Sequence, residues 1–217
     1  VSRILVVIDP GTRVPELDCF NRISSKSPLP ATYHLPAQQG IDSLERLTDP
    51  IAGIVVLGSG ASVYDDEPWQ TALNSWLRPH LHTTPMLGLC YGHQLLAHLL
   101  GGEVGLLFDD ETKLRGVRQV PLFDDPLWGA AVTGPMVVSH REVVKTLPPR
   151  CVLRGRSEAV PVEAFAHLDR PIWGFQPHPE ATTAFTTNNK IPFEADPAIL
   201  GFGHSFVDRF TQFVAER

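Results

Sequence analysis

Cysteine is scarce in this chain: Cys19, Cys90 and Cys151 are its three thiols. So odd and sparse a set excludes a disulfide framework and points to a reducing compartment, here the cytoplasm. Long apolar runs are missing too. Nothing approaches the ~18 consecutive apolar residues of a membrane span, so no membrane partner is expected. The N-terminal stretch lacks the basic, apolar, small-residue order of a signal peptide, and residues 2–9 read instead as a strand. Positive charge is not in excess. Eighteen basic residues stand against 24 acidic ones for a net charge of -6, so nucleic acid is not an expected partner. Repeats, low-complexity stretches and charge runs are absent as well. What is there is a 217-residue chain that is 43% apolar, enough for one packed core. A single domain over residues 1–217 is expected.

The apolar pattern sets the fold class. Ile4–Ile8 and Gly53–Leu57 are continuous apolar runs stopped by Asp9-Pro10-Gly11 and Gly58-Ser59-Gly60, as expected of strands buried on both faces. Met86–Leu89 is a third such run, and Ala31–Leu35 is a weaker one. Helical spacing marks 41–47, Pro68–Leu81 and the stretch through Leu95, Leu96, Leu99 and Leu100, which Gly101-Gly102 closes. This alternation predicts an α/β fold: an open, mostly parallel (mixed) sheet flanked by helices. The second half reads as short strands at 116–122, 136–139, 151–155, 162–167 and 172–176. Residues 182–197 show no period and read as a loop, and helical spacing resumes over 202–215.

A cysteine sits where a buried strand meets a helix, in Gly88-Leu89-Cys90-Tyr91-Gly92. This G-x-C-x-G pattern is the thiol form of a nucleophile elbow. Composition predicts about 0.02 chance matches in a chain with 17 glycines and three cysteines. A sharp strand-to-helix turn holds its central residue in a strained conformation, and glycine two residues either side avoids collision with neighbouring backbone. The helix N-terminus favours the thiolate. The Tyr91 N–H points to the same corner and can stabilise an oxyanion. The competing reading is a buried, inert cysteine. It is the expected one for Cys19 and Cys151, which lack this context.

A thiol nucleophile needs a base, and the base needs an orienting group. Trp173-Gly174-Phe175-Gln176-Pro177-His178-Pro179-Glu180 supplies both. Prolines restrict the backbone on each side of His178. Glu180, two residues on and on the same side of an extended run, is placed to fix the imidazole tautomer. The other histidines carry less. His93 and His98 are five apart on one helix, and His80 and His82 flank a helix end. His140 follows a strand and is either part of the site's rim or a solvated loop residue. With no HExxH or CxxC pattern, no metal is expected. Gly58-Ser59-Gly60 resembles the start of a dinucleotide site, but Val63 breaks the G-x-G-x-x-G fingerprint and no P-loop lysine follows. A more economical role is to present backbone N–H donors toward Cys90.

GLCYGHQ at 88–94 together with QPHPE at 176–180 resembles the class I (triad) glutamine amidotransferases. Residues 58–69, 99–104 and 137–148 look like that family too, and the resemblance covers about residues 53–181. It is similar above all to free-standing members related to the GMP synthase glutaminase domain. The resemblance implies Cys90 as nucleophile, His178 as acid/base and Glu180 as its partner. It implies Ser59 and Tyr91 as backbone oxyanion donors. Gly58, Gly60, Gln94, Ser139, His140 and Arg141 are implied at the substrate. The substrate implied is L-glutamine, with ammonia passed to a synthetase and no cofactor. One departure is the oxyanion loop, Gly58-Ser59-Gly60 where the family usually has a glycine-proline sequence. Two other readings remain: a hydrolase of γ-glutamyl peptides or conjugates using the same triad, and a regulatory or binding module without turnover.

Overall fold

The computed structural model describes residues 3–194 and 196–217; Ser2 of the first expected strand and Ala195 of the expected loop lie outside them. The first half runs β1 Ile4–Ile8, α1 Leu17–Lys26, β2 Ala31–His34, α2 Pro36–Gln39, α3 Asp42–Glu45, β3 Ile51–Val56, α4 Pro68–His80, β4 Met86–Leu89 and α5 Tyr91–Leu99. The second half adds β5 Glu103–Leu106, β6 Leu114–Leu122, β7 Val132–His140, β8 Glu142–Thr146, β9 Cys151–Gly155, β10 Ala164–His167, β11 Ile172–Phe175, α6 Thr183–Asn188 and α7 Pro197–Glu216.

Nine strands form one sheet in the order β2-β1-β3-β4-β11-β10-β9-β6-β7. Pairing is parallel from β2 through β11 and antiparallel from β11 to β7. The expected mixed α/β sheet is therefore present, with its two kinds of pairing in separate halves.

Strand alternation builds a core on each face. Leu5, Val7, Val55, Leu57, Leu87 and Leu89 point to one side and pack with Ile23 of α1 and Phe206, Phe210 and Val214 of α7. Ile4, Val6, Ile8, Ile54, Val56 and Met86 point to the other, against Leu73 and Leu77 of α4 and Leu95 and Leu96 of α5. Each such side chain, fully buried, stabilises the fold by about 1.5–3 kcal/mol. Both faces being covered is what made these strands read as unbroken apolar runs.

Several elements differ from expectation. The stretch 182–197 is not a plain loop: it holds α6, and α7 already begins at Pro197. The Thr-Thr-Ala-Phe-Thr-Thr sequence has weak helix propensity. Its turn is fixed by the Thr182 hydroxyl, which accepts from the Phe185 N–H at 3.1 Å, and by burial of Phe185. The expected helix at 41–47 shortens to α3. Helix α1 gave no clear period because only Cys19 and Ile23 on it are buried. Strands β5 and β8 form a separate antiparallel pair that the sequence reading also lacked.

Candidate active site

In a parallel sheet with helices on both faces, clefts open beyond the strands' carboxyl ends. That is where the candidate residues gather. The loops after β1, β3, β4 and β11 line one cleft of about 750 Å³, which contains Gly58, Ser59, Gly60, Cys90, Gln94, Ser139, His140, Arg141 and His178. Tyr91 and Glu180 do not line it; both are buried behind it.

The corner at Cys90 has the geometry of an elbow. Cys90 takes φ 52° and ψ -100°, a strained conformation for any residue but glycine. Its N–H donates to the Phe175 carbonyl at 2.8 Å, which ties the end of β4 to β11. The flanking glycines answer to close packing. A Cβ on Gly88 would overlap the Gly92 carbonyl, and one on Gly92 would overlap the carbonyl of Val56 in β3. The elbow is thus locked against its neighbouring strand by backbone contact.

The same packing brings in the other two segments. A Cβ on Gly58 would stand 2.8 Å from His178 Cε1 and 3.7 Å from Cys90 Cβ, so β3's loop, the nucleophile corner and the histidine meet at one point. The His178 N–H donates to the Val137 carbonyl at 2.8 Å. His178 Nδ1–H donates to Glu180 Oε1, also at 2.8 Å, and Glu180 is 1% exposed. The link is made by a tight turn, in which the Ala181 N–H donates to the His178 carbonyl, and not by an extended run. Nε2 of His178 has no hydrogen-bond partner among the described residues.

Burial alone would drive the proton off His178. The negative charges of Cys90 and Glu180, with the hydrogen bond to Glu180, overcome it and raise the imidazole's proton affinity. That environment favours the imidazolium.

Several substrate candidates are more constrained than the sequence indicated. The Gln94 side-chain N–H2 is committed: it donates to the Glu142 carbonyl at 2.7 Å and to Gln176 Oε1 at 3.3 Å. Only its oxygen remains open to a ligand. His140 is not in a solvated loop; it ends β7 and lines the cleft while only 3% exposed, and its pKa is lowered to about 3 by burial, then by nearby His178, Arg118 and His93. Ser139 is buried with an unpartnered hydroxyl, and Arg141 is exposed and donates to the Gly60 carbonyl at 3.2 Å. The Tyr91 side chain turns away from the cleft, where its hydroxyl accepts from Gln70 at 3.0 Å.

Other residues enter unannounced. Gln176 donates its amide N–H toward Cys90 Sγ at 3.8 Å. Phe185 of α6 packs on the His178 ring, centroids 4.6 Å apart. Glu16 lines the cleft, accepts from Asn189 at 2.8 Å, and is raised to about 7 chiefly by burial. Gln176 lay inside the quoted motif and was legible. Phe185 and Glu16 sit in segments without a period and gave no signal. Among the described residues no cluster of His, Cys, Asp and Glu suits a metal, and no helix is long and apolar enough to cross a membrane.

One subunit of the glutamine-hydrolyzing GMP synthase from Pyrococcus furiosus is 41% identical over 98 residues, covering 44% of this chain and 50% of that protein. The chain thus spans about half the length of the curated relatives it matches. The fold is shared with a glutamine amidotransferase structure from Thermotoga maritima (TM-score 0.75, 18% identity, 100% of both chains). It is shared as well with one from Methylobacillus flagellatus (TM-score 0.72, 19% identity, 100% of this chain and 95% of that one). The sequence profile of the family described as glutamine amidotransferase class-I matches residues 33–194, and the chain belongs to that family.

Proposed function

We propose that this chain hydrolyses the side-chain amide of L-glutamine to glutamate and ammonia, with Cys90, His178 and Glu180 as the catalytic triad. The observation that carries the reading is the strained thiol of Cys90, held in one cleft with a histidine whose Nδ1–H is fixed on Glu180 at 2.8 Å. The Cys90 thiolate attacks the γ-carbonyl. The resulting oxyanion is held by the backbone N–H groups of Ser59 and Tyr91. Tyr91 is the first residue of α5, so its N–H has no acceptor within the helix. His178 gives its proton to the departing amine, which leaves as ammonia. A γ-glutamyl thioester remains on Cys90. His178 then takes a proton from water, the hydroxide attacks the thioester, and glutamate leaves as the thiolate is restored. Glu180 holds the imidazolium in place.

The ammonia goes to a separate acceptor enzyme. Supporting this are the relatives named as single subunits of glutamine-hydrolyzing GMP synthases, a name that implies at least one other subunit. The test is to incubate the purified chain with L-glutamine and follow ammonia and glutamate together. Equal release of both, lost in Cys90→Ala and weak with L-asparagine, is expected. Release that survives in Cys90→Ala overturns the assignment of the nucleophile. Equal rates with asparagine overturn the substrate.

A further inference from the structure

One wall of the cleft is a loop that packing holds at one end only. Gly58-Ser59-Gly60 follows β3 and carries the Ser59 N–H, which has no hydrogen-bond acceptor among the described residues. Gly58 is packed against the His178 ring, as the overlap of an added Cβ with Cε1 shows. At Gly60 an added Cβ would meet no atom within 4 Å. Contact therefore does nothing to restrain Gly60, and without a side chain its torsions range widely. Yet an N–H that meets a developing oxyanion needs a fixed direction, since a misplacement of about 1 Å can cost about a hundredfold in rate.

Hydrogen bonds supply the restraint. The Ser59 hydroxyl donates to the Pro10 carbonyl at 2.8 Å and accepts from the Ala61 N–H at 3.2 Å. The first bond hangs the loop on the segment after β1, and the second fixes the turn through Gly60. The other tether, from Arg141 to the Gly60 carbonyl, comes from an exposed side chain in competition with water. The segment bearing Pro10 is itself pinned. Asp9, directly after β1, is fully buried, and its carboxyl oxygens accept from the Gly11 N–H at 2.8 Å, the Glu16 N–H at 2.7 Å and the Tyr33 hydroxyl. Gln38 donates to the Gly11 carbonyl at 2.8 Å. Tyr33 lies on the edge strand β2 with its ring stacked on Phe20, centroids 4.6 Å apart. Contacts thus run from the edge of the sheet through Asp9 and Pro10 to Ser59.

We propose that the Ser59 hydroxyl, held by the frame of Asp9 and Tyr33, positions the oxyanion loop. It aims the backbone N–H of Ser59 at the tetrahedral intermediate. The hydroxyl touches no reacting atom and neither gives nor takes a proton, so Ser59 acts here through its side chain as a positioning residue, with Asp9 and Tyr33 behind it. This rests on the reading of Cys90 as a nucleophile toward glutamine and of the Ser59 N–H as an oxyanion donor.

The test sets Ser59→Ala, Ser59→Thr and Tyr33→Phe beside wild type. Three readouts are taken: glutamine hydrolysis, alkylation of Cys90 by iodoacetamide, and hydrogen exchange of the peptide covering residues 58–61. Alkylation uses the thiol and forms no oxyanion, so it separates the loop from the nucleophile. Ser59→Ala is expected to lower kcat by roughly 10–100-fold. Its KM and alkylation rate should stay within about twofold of wild type, as for an interaction made only in the transition state. Ser59→Thr keeps the hydroxyl and should recover most of kcat. Tyr33→Phe, on another strand, should lower kcat by a smaller factor in the same way and speed exchange at residues 58–61. A kcat for Ser59→Ala within about twofold of wild type overturns the proposal. Equal loss of turnover and alkylation overturns it too, as does failure of Ser59→Thr to recover kcat. Unchanged exchange at residues 58–61 in Tyr33→Phe overturns the frame. Absence of Cys90-dependent turnover in wild type instead overturns the proposed function, and hydrogen exchange then decides the anchoring alone.

Discussion

The inner wall of the cleft and its rim are held in different ways. Cys90, His178 and Glu180 are all at most 5% exposed, and backbone contacts fix them: the Cys90 N–H on β11, the His178 N–H on β7, and Gly92 against β3. The rim is made of side chains. Arg13 and Arg115 are exposed, and neither forms an ion pair among the described residues. The difference separates two properties of one site. The proposed triad sits on strand ends that cannot move without unpacking the sheet. The rim side chains can change at little cost to the fold.

The sharpest way to break this contrast is at Gly92. Its Cβ would enter the Val56 carbonyl, and backbone cannot step aside as a side chain can. Gly92→Ala is expected to lose about 4 kcal/mol or more, read from the urea midpoint at constant m. A loss under about 1 kcal/mol would mean that the elbow is not locked as described.

Next in size is Glu180→Gln. The amide can turn its N–H2 toward the ring and select the wrong tautomer, so kcat for glutamine should fall by about 10²–10⁴. KM should change little, and the loss should be smaller than in Cys90→Ala. An unchanged kcat would remove Glu180 from the triad.

Acid sharpens the contrast from another side. Burial holds His93 and His140 near 3, below their ordinary 6.5. As pH falls below about 6.5 the unfolded chain takes up these protons and the native chain does not until about 3. Stability therefore declines across that window, by up to about 1.4 kcal/mol per pH unit for each histidine. Glu16, raised to about 7, works the other way between 7 and its ordinary 4.5, since the native state holds its proton first. Replacing His93 with Leu should flatten the decline in denaturant titrations between pH 6 and pH 4 by about one histidine's share. An unaltered slope would show that His93 is not held neutral.

The rim should give the smallest effect on stability. Arg13→Gln is expected to shift unfolding by no more than about 0.5 kcal/mol. A larger loss would make the rim part of the structural frame and erase the contrast.

The same division explains what the sequence made legible. Strands β1, β3 and β4 announced themselves because both faces are buried, and the elbow did so because its glycines are demanded by backbone contact. The proposed triad comes from two short motifs that need no long-range information. What stayed hidden depends on contacts between distant segments. Helix α6 is weak by composition and exists because Phe185 packs on His178. Glu16 enters the site through Asn189, far away in the chain. The Gln94 amide looked free to hold substrate, and only its neighbours Glu142 and Gln176 reveal that its N–H2 is occupied. His140 looked like a choice between rim and solvent; strand β7, longer than expected, carries it to the cleft wall as a buried residue.

The central claim is that Cys90 carries the γ-glutamyl group. Its most direct test is to quench the chain with acid during turnover of isotopically labelled L-glutamine and map the label by peptide mass spectrometry. The account predicts a labile γ-glutamyl adduct on the peptide containing Cys90, absent from Cys90→Ala and accumulating when deacylation is slowed. Ammonia release without any adduct on that peptide, or label carried by Cys19 or Cys151 instead, would contradict it.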